Sequence, residues 1–135
     1  MYATKRKNGT FKSSKPEDES YRLLCEVFGE DDVERQHKDE KYPFLCDFYI
    51  KSIELYIECN YHWTHGSHAF DSNNSDDLKQ VDFWRQRSNE KKACNAGNTC
   101  NMYDNAIYVW TCLDVRKRKL ASSNKLNYIA FWDIS

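Results

Sequence analysis

Residues 44–71 read FLCDFYIKSIELYIECNYHWTHGSHAFD, two apolar-rich runs followed by a loop with three of the four histidines of the chain. The runs 44–50 and 53–59 alternate in side-chain character, which is typical of pleated strands. Asp47 in the first run and Glu58 in the second each lie on the face opposite the main apolar side chains. The segment is therefore predicted to form a β-hairpin that leads into a histidine-rich loop.

The length of the hairpin turn determines whether Asp47 and Glu58 meet. A two-residue turn at 51–52, the length predicted here, places them on one face as diagonal neighbours, about 7–8 Å apart at the backbone. A four-residue loop places them directly opposite each other, and a three-residue loop on opposite faces, because a one-residue slip flips every side chain. Two converging carboxylates suit Mg²⁺, which takes one or two carboxylates plus waters and phosphate oxygens. The alternative is an ordinary hairpin with its polar face in water.

The composition is that of one globular domain. The chain has 135 residues, with nine Tyr, seven Phe and four Trp as core material. No window approaches a membrane span and no charged start leads into an apolar signal segment, so a cytoplasmic protein with no membrane partner is expected. The six cysteines, without a secretion signal, are expected to be reduced thiols.

The net charge of −1 hides a strong segregation of charge along the chain. Residues 1–15 carry five basic side chains and no acid, whereas residues 16–40 carry ten acids against three basic side chains. We predict a flexible basic arm over residues 1–13 and a single domain over residues 14–135. Basic arms and basic helix faces are typical of phosphate-binding proteins, and also of ordinary solvated helices.

Periodicity and capping signals predict a mixed α/β fold in the order α-β-β-β-α-β-α-β, with helices on the faces of a mixed sheet. A strand over 106–111, a helix through residue 121 and a final strand are expected to form a parallel crossover unit. The predicted elements are a helix over 14–28 with a Ser14–Glu17 capping box, an edge strand at 33–37, the hairpin, a helix from Ser75 to about Lys92, a loop at 93–104, a strand at 106–111, a helix to Ala121 and a strand at 126–132.

This order of motifs resembles the PD-(D/E)XK restriction-endonuclease-like superfamily. Within it, the chain is most similar to the very-short-patch-repair endonucleases and the phage EDxHD homing-type nucleases. The resemblance is carried by SKPEDESYRLLCEVF at 14–28, YPFLCDFYIKSIELYIE at 42–58, WTHGSHAFD at 63–71 and the stretch 103–132. It implies a restriction-endonuclease-like core and an endodeoxyribonuclease that uses Mg²⁺ or Mn²⁺, in a bacterial or phage-infected cell.

The resemblance also assigns candidate catalytic residues. Glu17 matches the helix glutamate of the family, with Glu19 as a substitute half a turn on and a capping carboxylate as the structural alternative. Asp47 matches the metal-binding aspartate, and Glu58 matches the second acidic position. Asn60 stands where many relatives carry a lysine, which departs from the pattern of the family.

The last two matches lie in the histidine loop. His65 follows Trp63 and Thr64 and matches the loop histidine, whereas Asp71 matches the last acid of EDxHD. In this hypothesis Asp47 and Glu58 hold Mg²⁺ and His65, with a reference pKa of about 6.5, transfers a proton during phosphodiester hydrolysis. The DNA backbone is expected to bind basic residues of the arm and of the last helix, namely Lys5, Arg6, Lys7, Arg116, Lys117 and Lys119.

Two other interpretations stay open. In the first interpretation, which is also compatible with a nuclease, Cys94 and Cys100 form a zinc site with a histidine of the loop. In the second, the chain is a catalytically inactive nucleic-acid-binding protein on the same fold, an interpretation motivated by Asn60. In either case sequence specificity has to come from loops, the arm, a protein partner or a homodimer.

Overall fold

The computed structural model describes residues 15–94 and 101–132, which form a mixed α/β unit around a four-stranded sheet. The strands lie in the order β1-β2-β3-β4, with β1–β2 and β2–β3 antiparallel and β3–β4 parallel. Their bounds are β1 Val33–His37, β2 Cys46–Ile50, β3 Leu55–Cys59 and β4 Asn127–Phe131. The helices are α1 Lys15–Phe28, α2 Ser75–Cys94, α3 Met102–Tyr108 and α4 Asp114–Ser123.

The connection between β2 and β3 is longer than the sequence predicted. Ile50 pairs with Leu55 rather than with Ile53, so the loop spans four residues instead of two. A short 3-10 turn at Lys51–Ile53 fills it, and Glu54 closes it in the left-handed conformation (φ 49°, ψ 47°). Because the change is two residues, side-chain parity is kept and the acidic positions stay on one face.

The two faces of the sheet are packed against different parts of the chain. On one face Phe48, Ile50 and Ile57 pack against the apolar stripe of α1. Tyr56, which alternates with Ile57 and so points to the other face, belongs to a second cluster with Tyr42 and Cys46. Glu58 is buried as well, so the site lies in a protein-lined environment rather than on an open hairpin surface.

The predicted strand at 106–111 is wrong, because this stretch is helical. It belongs to α3 and to a π-helical turn, Val109–Leu113, that joins α3 to α4 in one continuous rod. Ala106 and Trp110 are buried against Val81 and Trp84 of α2 at helical spacing, so packing between helices overrides the strand propensity of the run. The predicted crossover unit is wrong for the same reason, and the parallel partner of β4 is β3.

The helix that follows the histidine loop begins where the sequence predicted, with a cap one residue earlier. Asn74 Oδ1 accepts from the N–H groups of Asp76 (2.8 Å) and Asp77 (3.3 Å), so Asn74 caps α2. The helix runs to Cys94, into the predicted loop. The predicted basic arm and the Ser14 cap lie outside the described residues. Within the part of the chain that the structure describes, no helix has the length and apolar character needed to cross a membrane.

Candidate functional site

Asp47 and Glu58 come together where the β2–β3 ladder ends. Continuing the register of the pair places them opposite each other, and Asp47 Oδ2 accepts from the backbone N–H of Cys59 at 2.7 Å. The two carboxyl groups lie close enough to interact, and this contact lowers the pKa of Asp47 and raises the pKa of Glu58. Burial is the largest influence that raises the pKa of each, and the charge of Asp47 raises the pKa of Glu58 further.

Two further groups hold Glu58. Tyr42, which is fully buried, donates its hydroxyl to Glu58 Oε2. Lys117 Nζ lies 3.4 Å from the same oxygen, and its charge lowers the pKa of Glu58. The side chain of Lys117 is only 14% exposed. The sequence assigned Lys117 to the DNA backbone, whereas the structure places its ammonium group beside the paired carboxylates.

Glu17 approaches the pair from α1. It is buried, and its Oε2 accepts from Arg35 Nη2 at 3.3 Å, while the guanidinium also reaches Asp18 Oδ1 at 3.0 Å. Burial first, and then the charge of Asp47, raise the pKa of Glu17 to about 7. Glu17 is therefore electrostatically linked to Asp47.

His65 is held by a carboxylate that the sequence did not single out. It ends the 3-10 turn Trp63–His65, and its Nδ1 lies 2.6 Å from Oδ2 of Asp114, which is buried. An imidazole that donates Nδ1–H to a carboxylate presents Nε2 as a proton acceptor. The charge of His65 lowers the pKa of Asp47, so the ring lies within electrostatic reach of the carboxylate pair.

Gly66 fixes the position of the histidine loop. Its backbone is left-handed (φ 72°), and a Cβ at this position would lie 2.2 Å from Cε2 of Trp110. Trp110 is buried, and its Nε1 donates to the carbonyl oxygen of His68 at 2.7 Å. Only glycine allows the loop to approach the helical rod so closely, and this contact fixes the position of the neighbouring His65.

Asp71 lies apart from this cluster. Its backbone N–H donates to the buried carboxylate of Asp77 at 2.9 Å, and its Oδ1 accepts from the N–H of Asn73 at 2.9 Å. It lines a cavity together with Arg118 and Lys119. His68 is bound to the same Asp77, at 2.7 Å. Asp47 and Glu58 thus lie together, Glu17 and His65 lie within electrostatic reach of Asp47, and Asp71 lies at a neighbouring cavity.

The metal ligands predicted from the sequence are two in number. Among residues 15–94 and 101–132, no group of three or more His, Cys, Asp and Glu side chains is arranged to hold a metal ion. Asp47 and Glu58 nevertheless fit Mg²⁺, which draws one or two carboxylates from a protein. Two buried carboxyl groups whose pKa values are raised by burial are a donor set that a hard cation neutralises. Cys94 is exposed, and Cys100 lies outside the described residues, so the predicted zinc pair stays a prediction.

The sequence did not predict Tyr42 and Asp114 as site residues, and it assigned Lys117 to the DNA backbone rather than to the carboxylates. A usable signal existed for the last two, because Asp114, Lys117 and Ala121 recur at i, i+3 and i+7 and so share one helix face. Arg116 faces elsewhere, with Nη2 3.3 Å from the Tyr108 hydroxyl. Lys5, Arg6 and Lys7 lie outside the described residues. Comparison of the chain with models of protein families, with curated proteins and with solved structures gave no match.

Proposed function

We propose that the protein is a metal-dependent DNA endonuclease with a restriction-endonuclease-like core. The observation that carries the proposal is the meeting of Asp47 and Glu58 from adjacent strands, with a histidine and a lysine beside them. The two carboxyl groups are buried, and the charge of Asp47 raises the pKa of Glu58, so a cation held between them would stabilise both charges. The buried Glu17 adds a third acid within electrostatic reach.

Each side chain has a role in phosphodiester hydrolysis. Asp47 and Glu58 hold Mg²⁺ or Mn²⁺, which when bound lowers the pKa of a water and neutralises charge on phosphate oxygens. His65, oriented by Asp114, accepts a proton at Nε2 or delivers one to the leaving 3′-oxygen.

Lys117 supplies a positive charge at the site, where Asn60 stands in place of the lysine that many members of the superfamily carry. Its ammonium reaches Glu58 from a helix rather than from the strand, and its charge lowers the pKa of that carboxyl group against the effect of burial. This contact favours an active enzyme over the inactive nucleic-acid-binding alternative, since Lys117 supplies the positive charge that residue 60 lacks.

Cleavage of supercoiled plasmid with Mg²⁺ or Mn²⁺ tests the proposal. Wild-type protein is expected to nick or linearise the plasmid, and Asp47→Asn to lose at least about 100-fold in rate. Asp82→Asn is the matched control, because Asp82 is an exposed acid paired with Arg85 at 3.4 Å on α2. DNA binding without cleavage by any metal would instead establish the inactive alternative.

Metal binding is measured separately by titration calorimetry. One Mg²⁺ or Mn²⁺ per chain is expected for wild type and for Asp82→Asn, with the heat lost in Asp47→Asn. Equal heats from all three proteins would remove Asp47 from the ligand set.

A further inference from the structure

A cavity lies on the flank of α4, beside the histidine loop. Phe70 and Asp71 form one side of it, and Thr111, Arg118 and Lys119 the other. Its volume is about 410 Å³. Cavities of this order bind small organic molecules, so its size suits one nucleotide rather than a duplex.

The cavity carries unneutralised positive charge. In the described part of the chain, Arg118 and Lys119 form no ion pair, in contrast to their neighbour Lys117, which is paired with Glu58. Asp71 is the single acid of the lining. Two cations against one carboxylate favour an anionic ligand, and a guanidinium beside an ammonium group is well suited to a phosphate.

Phe70 gives the cavity a rigid aromatic wall. Its ring packs edge-on against buried Trp110, with centroids 5.0 Å apart and planes at 70°. This contact fixes the orientation of the ring, and part of the ring remains accessible. Aromatic rings of this kind are platforms on which unpaired bases stack.

Asp71 supplies a hydrogen-bond acceptor in a fixed position. Its N–H is tied to Asp77, and its Oδ1 accepts from the N–H of Asn73. Oδ2 has no hydrogen-bond partner among residues 15–94 and 101–132. An ionised carboxylate only accepts, so it favours a base edge with several N–H donors. Guanine offers N1–H and a 2-amino group there, whereas thymine offers one N–H between two carbonyl oxygens.

We propose that this cavity binds one unpaired nucleotide of the DNA substrate, with its phosphate on Arg118 and Lys119, its base on Phe70, and a preference for guanine set by Asp71. The proposal rests on the proposed nuclease function for the origin of the nucleotide. It gives Asp71, which the sequence placed among the catalytic residues, a role in base selection. It also supplies specificity without a separate DNA-reading domain.

Titration calorimetry with mononucleotides tests the cavity directly. The full chain is titrated in EDTA with dGMP, with dTMP and with inorganic phosphate, so that no cleavage contributes. We expect dGMP to bind at least about fivefold more tightly than dTMP, and phosphate to bind most weakly. Arg118→Gln is expected to weaken both nucleotides by about tenfold, and Asp71→Asn to bring the dGMP-to-dTMP ratio close to one.

Lys125→Gln is the control, because Lys125 is an exposed cation beyond the end of α4. Phe70→Leu keeps an apolar side chain against Trp110 and is expected to weaken both nucleotides equally. Equal affinity for dGMP, dTMP and phosphate, or no saturable binding of dGMP, would overturn the proposal. Nucleotide binding by a protein that never cleaves DNA would reject the nuclease and keep the subsite, whereas cleavage without dGMP binding would do the reverse.

Discussion

Replacement of Glu17 by glutamine is expected to stabilise the protein at alkaline pH. Burial and the charge of Asp47 raise the pKa of Glu17 from 4.5 to about 7. Between these values the folded chain holds a proton that the unfolded chain has released, so the free energy of unfolding falls as the pH rises through this window. Above pH 7 the destabilisation is fully present. Glutamine has the same shape and never ionises, so it removes this loss.

The magnitude follows from the shift itself. At about 1.4 kcal/mol per pKa unit, the rise from 4.5 to about 7 corresponds to about 3.5 kcal/mol as an upper bound. This rise already includes the opposing effect of Arg35, which lowers the pKa of Glu17 and retains Asp18 at 3.0 Å in the variant. We therefore expect about 2–3 kcal/mol of added stability at pH 8 and under about 1 kcal/mol at pH 5, which lies only just above the unfolded pKa of 4.5.

Urea denaturation in EDTA at pH 5, 6, 7 and 8 measures this difference. Glu19→Gln is the matched control, because Glu19 lies on the same helix, half exposed, beside Arg22. The free energy of unfolding of Glu19→Gln is expected to stay within about 0.5 kcal/mol of the wild-type value at every pH. If Glu17→Gln were less stable than wild type at pH 8, the ion pair with Arg35 would outweigh burial, and the electrostatic description of the site would be wrong.

Three more predictions concern single contacts. Gly66→Ala is expected to lower the free energy of unfolding by about 2–4 kcal/mol, because of the left-handed backbone and the clash with Trp110; a loss under about 1 kcal/mol in urea denaturation would contradict the close approach. Asp114→Asn is expected to lower kcat on DNA by at least about 100-fold with little change in KM, since His65 loses the negative charge beside its Nδ1 and the amide no longer fixes the tautomer; wild-type kcat would make Asp114 purely structural. His37→Gln is expected to be more destabilising at pH 5.5 than at pH 8.5 in the same assay. Burial lowers the pKa of His37, but its hydrogen bonds to Glu34 and Asp39 raise it overall. The stabilisation is therefore present below pH 6.5 and fades as the pH rises through the raised pKa. A destabilisation that does not vary with pH would show that the charge of His37 does not contribute to stability.

The sequence was most informative where a pattern had a single geometric solution. Alternation in the hairpin places Asp47 and Glu58 on the same face for any even-length loop, so their meeting could be predicted although the loop length was not. The extra length of the turn depends on the left-handed Glu54, and no glycine or asparagine marks that position.

The run 106–111 shows why periodicity over six residues is not enough. Its β-branched and aromatic side chains favour a strand locally. Trp110, however, packs on Trp84 with ring centroids 5.4 Å apart, and this contact with a distant helix holds the stretch in helical form. Such a partner, 26 positions away, is invisible in the local pattern.

The supporting residues of the site could not be recovered for a similar reason. In the basic stretch 116–119, composition alone does not say which cation faces inward. The rotation of α4 about its axis places Lys117 beside Glu58 and Asp114 beside His65. The acids of the site can thus be predicted from the sequence, whereas Asp114 and Lys117 depend on the rotation of the helical rod about its axis relative to the sheet.

The π turn at Val109–Leu113 sets that rotation. A π turn holds one residue more than an α turn, and each residue of an α-helix advances the chain by about 100°. Deleting one residue here would turn the rod into a regular α-helix with little loss of helical hydrogen bonding. It would also rotate Asp114 away from His65 and Lys117 away from Glu58. A one-codon deletion within the rod should therefore disable the protein even though it replaces none of the side chains of the site.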